Sequence, residues 1–246
     1  MRSEGGDLEK IERLVPVITV DGPGGTGKGS LCLRLATHLG WHFLDSGALY
    51  RVLAQVAMEA AIALNDEEQL QTHAKGLDVR FECNREYDTA RVLSRGRDLT
   101  EAIRTESCAN AASQLATLPG VRQALLGCQR AFRKPPGLVA DGRDMGTVVF
   151  PDADLKVFLT ASPNERAKRR YKQLKEKGID ASLERILEDI AERDARDSQR
   201  IASPLRPAFN AAVIDTTDLS IEAGFEYVLG LVEERVLKGR VSRKPP

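Results

Sequence analysis

The chain lacks an excess of charge of either sign: 36 Lys and Arg balance 36 Asp and Glu across 246 residues. No global field therefore draws it to nucleic acid or to a membrane surface, and any anion-binding function must be local. It has only four cysteines, Cys32, Cys83, Cys108 and Cys128, far apart and without a C-x-x-C pair. Neither they nor the three histidines fall at metal-ligand spacing, which leaves the thiols as small apolar filler in a reducing compartment. No run approaches the ~18 apolar residues that a membrane span needs. Residues 1–7 lack the apolar core of a signal peptide, so a cytoplasmic location is expected. Internal repeats and low-complexity tracts are missing too. The length suffices for a sizeable core, as one domain or as a core with insertions.

What is present begins with Gly22-Pro23-Gly24-Gly25-Thr26-Gly27-Lys28-Gly29-Ser30, which reads as a phosphate-gripping loop. A β-branched run, Val15 to Asp21, precedes it, and Leu31, Cys32, Leu35, Ala36 and Leu39 follow at helical spacing. Glycines let backbone N–H groups converge on anionic oxygens, and the helix start adds partial positive charge. Lys28 supplies a mobile point charge for the outer phosphates, so a nucleoside triphosphate is the expected ligand. The general pattern has Ser or Thr after the lysine to ligate Mg²⁺; here Gly29 stands there and the hydroxyl comes at Ser30. No protein group is therefore assigned as a direct metal ligand. Mg²⁺ keeps its waters readily and is expected as a hydrated ion held by the phosphates, with Ser30 on an inner phosphate.

Four later segments repeat the short apolar run with a polar end: Trp41–Asp45, Gly137–Asp141, Leu155–Thr160 and Ala212–Asp215. Helical patterns separate them, which predicts an α/β fold with a parallel sheet covered on both faces. Ligands gather outside the carboxyl ends of such strands, so the terminal polar residues are expected to face the nucleotide. Between Leu77 and Asp98 the texture changes to period-two alternation around a turn at Asn84–Asp88. That predicts an inserted antiparallel hairpin, with room for a third strand and a helix over Thr105–Leu118 behind it. By texture alone the insertion is either a substrate flap or a structural appendage.

A second charged cluster, Asp141-Gly142-Arg143-Asp144-Met145-Gly146, closes the third core strand. An arginine there can hold a phosphate bidentately, and a carboxylate can orient hydrated Mg²⁺ or accept from a base amine. A salt-bridged turn is the plainer alternative. Residues 165–178 carry seven Lys and Arg against two Glu. Beyond them, Leu183, Ile186, Leu187 and Ile190 start a helical stripe that, if continued, lines up Arg193, Arg196 and Arg200 on one edge. Such a row either clamps phosphates or belongs to a solvated helix in which Asp189 meets Arg193 and Glu192 meets Arg196. An RNA-binding patch is the weaker third reading, for want of interleaved aromatics beyond Tyr171.

The G-K-G-[ST] ending resembles nucleoside monophosphate kinases, and further runs narrow the likeness to the bacterial cytidylate kinase family. These runs are Leu44-Asp45-Ser46-Gly47-Ala48-Leu49-Tyr50-Arg51, Asn110–Gln114, Asp141–Pro151 and Glu192-Arg193-Asp194-Ala195-Arg196-Asp197. They run in family order from about Val15 to Leu231. The resemblance implies a five-stranded parallel P-loop NTPase core with helices on both faces. A monophosphate-binding insert over about 46–120, containing a small antiparallel sheet, and a short lid over about 165–179 complete a kinase domain of residues 14–237. Residues 1–13 and 238–246 are expected as flexible extensions.

The same resemblance implies transfer of the γ-phosphoryl group of ATP to CMP or dCMP, with Mg²⁺ accompanying ATP. A monomer without nucleic-acid or membrane partners is expected. Residues Gly22 to Ser30 would bind ATP. Ser46, Tyr50 and Arg51 fall on the monophosphate side, with Arg51 gripping the CMP phosphate and Arg143 sharing it. Arg193 would approach the acceptor and transferring phosphates. Asp141 would orient Mg²⁺-bound water or the acceptor, and Asp197 and Arg200 would contact sugar and phosphate. Ser113, Arg122 and Asp144 would read the cytosine, which offers an N4 amine donor beside O2 and N3 acceptors. Lys28, Asp141, Arg143 and Arg193 would form the catalytic group. Two rivals remain: a kinase of this architecture acting on UMP, AMP or a small metabolite, and a nucleotide switch. The chain lacks the N-K-x-D run of guanine-reading switches.

Overall fold

The strands of the main sheet run through β-branched or apolar residues, and three of them stop at an aspartate that accepts from nearby backbone N–H groups: Asp21, Asp45 and Asp215. The computed structural model describes residues 15–83, 90–200 and 202–238. Strands β1 (Val17–Asp21), β2 (His42–Asp45), β6 (Leu138–Gly142), β7 (Leu155–Thr160) and β8 (Ala212–Asp215) form one parallel sheet in the order β2-β6-β1-β7-β8. All five residues of β1 are buried, the mark of a strand covered on both faces.

On one face Val17, Leu44, Leu138 and Ala140 pack with helices α2 (Ser46–Glu59), α3 (Glu67–Lys75), α4 (Glu106–Leu115) and α5 (Pro119–Arg130). On the other, Ile18, Val20 and Leu159 meet α1 (Lys28–Leu39) and α8 (Ile221–Val232). Side chains as fully buried as Ile18, Leu35 and Leu53 each contribute about 1.5–3 kcal/mol. This core fixes the carboxyl edge of the sheet, where Asp21, Asp45 and Asp141 end neighbouring strands.

The antiparallel insertion is present with its third strand: β3 (Val79–Glu82), β4 (Arg91–Ser94) and β5 (Arg97–Asp98). Arg95 and Gly96 both take positive φ, 47° and 78°, which suits the two-residue turn between β4 and β5. The expected turn at 84–88 lies outside the described residues, as do the extension at 1–13 and all but Lys238 of the extension at 238–246. Helix α4 starts where Thr105 caps it, its hydroxyl accepting from the Cys108 N–H at 3.2 Å.

The basic block belongs to α6 (Pro163–Glu176), which pairs with α7 (Leu183–Gln199) as a helical hairpin around Ala167, Leu174 and Ile186. The expected arginine row needs one correction. Helix α7 stops at Gln199, and Arg200 has extended backbone (ψ 128°), so Arg200 leaves the helix edge and folds back on Asp197.

Candidate active site

The loop between β1 and α1 is shaped by two glycines. Gly22 lies so close to β7 that a Cβ would sit 2.1 Å from the Leu159 carbonyl oxygen, and Gly27 enters α1 at φ 88°. The loop's carbonyls are already engaged. Pro23 accepts from Thr26 Oγ1 and Lys28 Nζ at 3.1 Å each, Gly24 accepts from Arg166 at 3.2 Å, and Thr26 accepts from Thr216 Oγ1 at 3.0 Å. Gly27 supplies no side-chain cap, and the first helical bond returning to it comes from Leu31. The N–H groups of Lys28, Gly29 and Ser30 are thus left without intrahelical partners, and an anion suits them.

Cations converge on this loop. A Cβ at Gly24 would lie 3.6 Å from an Arg143 guanidinium nitrogen and 3.8 Å from one of Arg193. Lys28 is buried, 3.9 Å from Asp141 Oδ1. Burial, then the nearby Arg143 charge, lowers the Lys28 pKa to about 8 against the pull of Asp141. Burial raises Asp141 to about 7 even though Lys28 opposes the shift. Arg193 is drawn down to about 10, first by burial and then by Arg143 and Arg51, and its Nε has no partner. Like charges held together out of water are costly, and an incoming phosphate relieves that cost. Asp141 Oδ2 stands 3.4 Å from where a Cβ at Gly29 would be, so a carboxylate borders the place where the general pattern has a hydroxyl.

Residues expected on the acceptor side lie next to this point, linked to it through Arg143. Arg143 donates from Nε to Asp197 Oδ2 at 2.9 Å, and Asp197 also pairs with Arg200. Burial alone would raise the Asp197 pKa, but Arg143, Arg200 and Arg193 together hold it below the usual carboxylate value. Arg122 pairs with Asp144, both nearly buried, and lies 6.0 Å from the Tyr50 ring centroid. Ser113 keeps a buried hydroxyl with no partner. Arg51 donates to the Ile103 carbonyl at 3.4 Å. Ser46 is buried and its hydroxyl accepts from Gln129 Nε2 of α5 at 2.8 Å.

Several readings resolve here. The turn at residues 141–146 is salt-bridged, and its pairs all run to other elements: Asp141, Arg143 and Asp144 meet Lys28, Asp197 and Arg122 rather than one another. Among the described residues no ion pair joins Asp189 to Arg193 or Glu192 to Arg196, and the Nε atoms of both arginines are buried without partners. The expectation that strand-terminal polar residues face the nucleotide needs correcting for two aspartates. Asp45 caps α2 through Ala48 and Asp215 bonds Thr217, just as Asp21 accepts from the Met145 and Gly146 N–H groups at 2.8 Å each. Short acidic side chains at strand ends satisfy nearby orphan N–H groups in preference to facing solvent.

Sequence reasoning did not single out Asp21, Gln129, Arg166 or Asp194. Asp21 holds the turn after Asp144 in place, and burial raises its pKa to about 6. The only signal for it was its position between the strand and the glycine loop.

A phosphate loop on a five-stranded parallel sheet, with a second set of buried cations opposite, defines the class of nucleoside monophosphate kinases. The cytidylate kinase family model matches residues 18–234. Cytidylate kinase of Nitrosococcus oceani is 60% identical over 219 residues, spanning 89% of this chain and 96% of that protein. The cytidylate kinases of Shewanella frigidimarina and Stutzerimonas stutzeri are each 56% identical, spanning 90% and 92% of this chain and 96% and 98% of theirs. The chain belongs to the cytidylate kinase family.

Proposed function

We propose that this ATP-dependent (d)CMP kinase carries out phosphoryl transfer in the space between Lys28, Arg143 and Arg193. The observation that carries the proposal is that Arg143 and Arg193 both flank Gly24, so donor loop and acceptor cations share one space. An oxygen of the CMP or dCMP phosphate attacks the γ-phosphorus of ATP in line, giving ADP and CDP or dCDP. The acceptor phosphate, with a second pKa of about 6 as in a phosphoamino acid, is largely dianionic near pH 7 and needs no strong base. Lys28 and the arginines spread the charge that develops on the transferring group, and no phosphoenzyme is required.

Gly22 to Ser30 cradle the triphosphate. Arg51, Arg143 and Arg193 hold the acceptor phosphate, Asp197 and Arg200 the sugar side, and Tyr50, Ser113, Arg122 and Asp144 the base. Ser46 braces that wall through Gln129. The insert over about 46–120 and the lid over about 165–179 close on the two nucleotides and exclude water.

Mg²⁺ fits this site as an ion shared with the substrate. Among the described residues no group of three or more His, Cys, Asp or Glu could cage a metal, whereas the Asp141 carboxylate borders the loop. Asp141 would hold it through water, and the ion would neutralise phosphate charge. No helix among the described residues is long and apolar enough to cross a membrane. A cytoplasmic monomer without nucleic-acid partners accompanies the proposal.

An acceptor panel with Mg-ATP tests the function. ADP should form rapidly with CMP and dCMP and slowly with UMP or AMP; equal rates with all four would overturn the assignment. The pH profile tests the site. Asp141 acts ionised, above about 7, and Lys28 acts protonated, below about 8. The profile of kcat/KM for ATP, which reports the free enzyme, should therefore rise to about pH 7 and fall beyond about pH 8. Asp141→Asn should abolish the limb near 7; an unchanged acid limb in that variant removes Asp141 from the role.

A further inference from the structure

Against the phosphate loop at Gly24 and Gly25 lies a buried guanidinium with a different task. Arg166 of α6 is only 3% exposed. It donates from Nε to the Ala161 carbonyl at 3.1 Å and from Nη1 to the Gly24 carbonyl at 3.2 Å. Its two Nη atoms also grip both carboxylate oxygens of Asp194 on α7, Nη1 reaching Oδ1 at 3.1 Å. A Cβ at Gly25 would lie 3.0 Å from the Arg166 Cβ, so loop and side chain are in close contact. One fork thus joins three elements: the donor loop, the end of β7 and the helix that carries Arg193 immediately before Asp194.

This arrangement is poorly explained as simple stabilisation. A buried ion pair returns little net stability after desolvation, and apolar side chains of similar size often serve as well. What a bidentate pair supplies is geometry. Arg193 has an unpartnered Nε and three like-charged neighbours, Arg143, Arg51 and Arg196, pressing on it. Asp197, one turn further on, offsets part of that repulsion and ties α7 to Arg143. The Arg166–Asp194 fork ties the residue next to Arg193 to the backbone of the loop itself at Gly24.

We infer that Arg166 and Asp194 are positioning residues for phosphoryl transfer: their fork holds α7 in register with the phosphate loop, so that Arg193 meets the transferring phosphate. The inference rests on the reading of Arg193 given above. A displacement of about 1 Å at such a group costs roughly 10²-fold in rate.

The test compares Arg166→Lys, Asp194→Asn and the double variant of the full chain by steady-state kinetics, ATP binding and thermal melting. Lysine keeps the charge but cannot span Asp194, Gly24 and Ala161 at once. Each single variant should lose about 10²-fold in kcat, with ATP affinity and KM for CMP within about threefold of the parent. The double variant should be no worse than either single, because one unit has been broken. If Arg166→Lys fails to fold, Asp194→Asn carries the test alone, its side chain being 30% exposed. Folded variants with kcat within threefold of the parent, or losses that multiply in the double, overturn the inference. Arg193→Met separates the two readings: a large loss there with none in the fork variants sinks only the fork, whereas an active Arg193→Met sinks the site reading beneath it.

Discussion

Lys28→Met should fold normally and lose about 10³-fold or more in kcat. The retained fold follows from the pairing. Lys28 sits buried with its pKa already down to about 8, so its charge is held against a desolvation cost that methionine does not incur. Removing it leaves Asp141 buried without its cation, which ordinarily destabilises a protein by several kcal/mol. Asp141, however, is raised to about 7 and takes up a proton near neutral pH at little cost. The Pro23 carbonyl loses the Lys28 bond but keeps the one from Thr26. The lost rate follows from position, since Lys28 is the one cation supplied by the loop that grips the donor. The measurement pairs a thermal melt with ADP release under saturating CMP. A folded Lys28→Met enzyme with more than a tenth of parental turnover would remove the loop lysine from the chemistry.

The parts of this site that were legible in the sequence are those built by neighbours in the chain. The loop from Gly22 to Ser30, the alternation that became β3 and β4, and the apolar stripe that opens α7 all declare themselves within a few residues. Hydrophobic period acts at that range. What was not legible depends on partners brought together by topology. Arg166 lies among seven basic residues of the 165–178 block, and nothing local marks it as the one buried beside a carboxylate 28 positions on. Local rules also misdirect. The i,i+4 spacing of Asp189 with Arg193 predicts a surface pair, yet Arg193 turns to the loop and is buried beside Arg143, with Asp197 offsetting part of the repulsion. Asp21 is as unmarked as Arg166: the N–H groups of Met145 and Gly146, 124 and 125 residues away, claim both its oxygens.

The base-reading wall leads to the second large effect: Asp144→Ala should collapse the preference for CMP over UMP, by up to about 10⁴-fold in the ratio of kcat/KM values. Asp144 is 4% exposed and bonded to Arg122, so acceptor and donor stand side by side, with the Tyr50 ring 6.0 Å from Arg122. On the proposed reading cytosine would satisfy both, its N4 amine donating to Asp144 while its ring acceptors take up Arg122. Uracil presents a carbonyl where the amine was, and two acceptors meet in a buried site. That mismatch costs several kcal/mol because neither group can turn to water. Alanine removes the clash for uracil and the bond for cytosine together, so UMP should gain while CMP loses. Arg122 is left buried with its Ala116 carbonyl bond at 3.2 Å but no carboxylate, and the melting temperature should fall. The ratio of the two substrates measured on one protein cancels that general loss. A CMP-to-UMP ratio unchanged within threefold would show that the discrimination resides elsewhere on the wall, with Ser113 the next residue to remove.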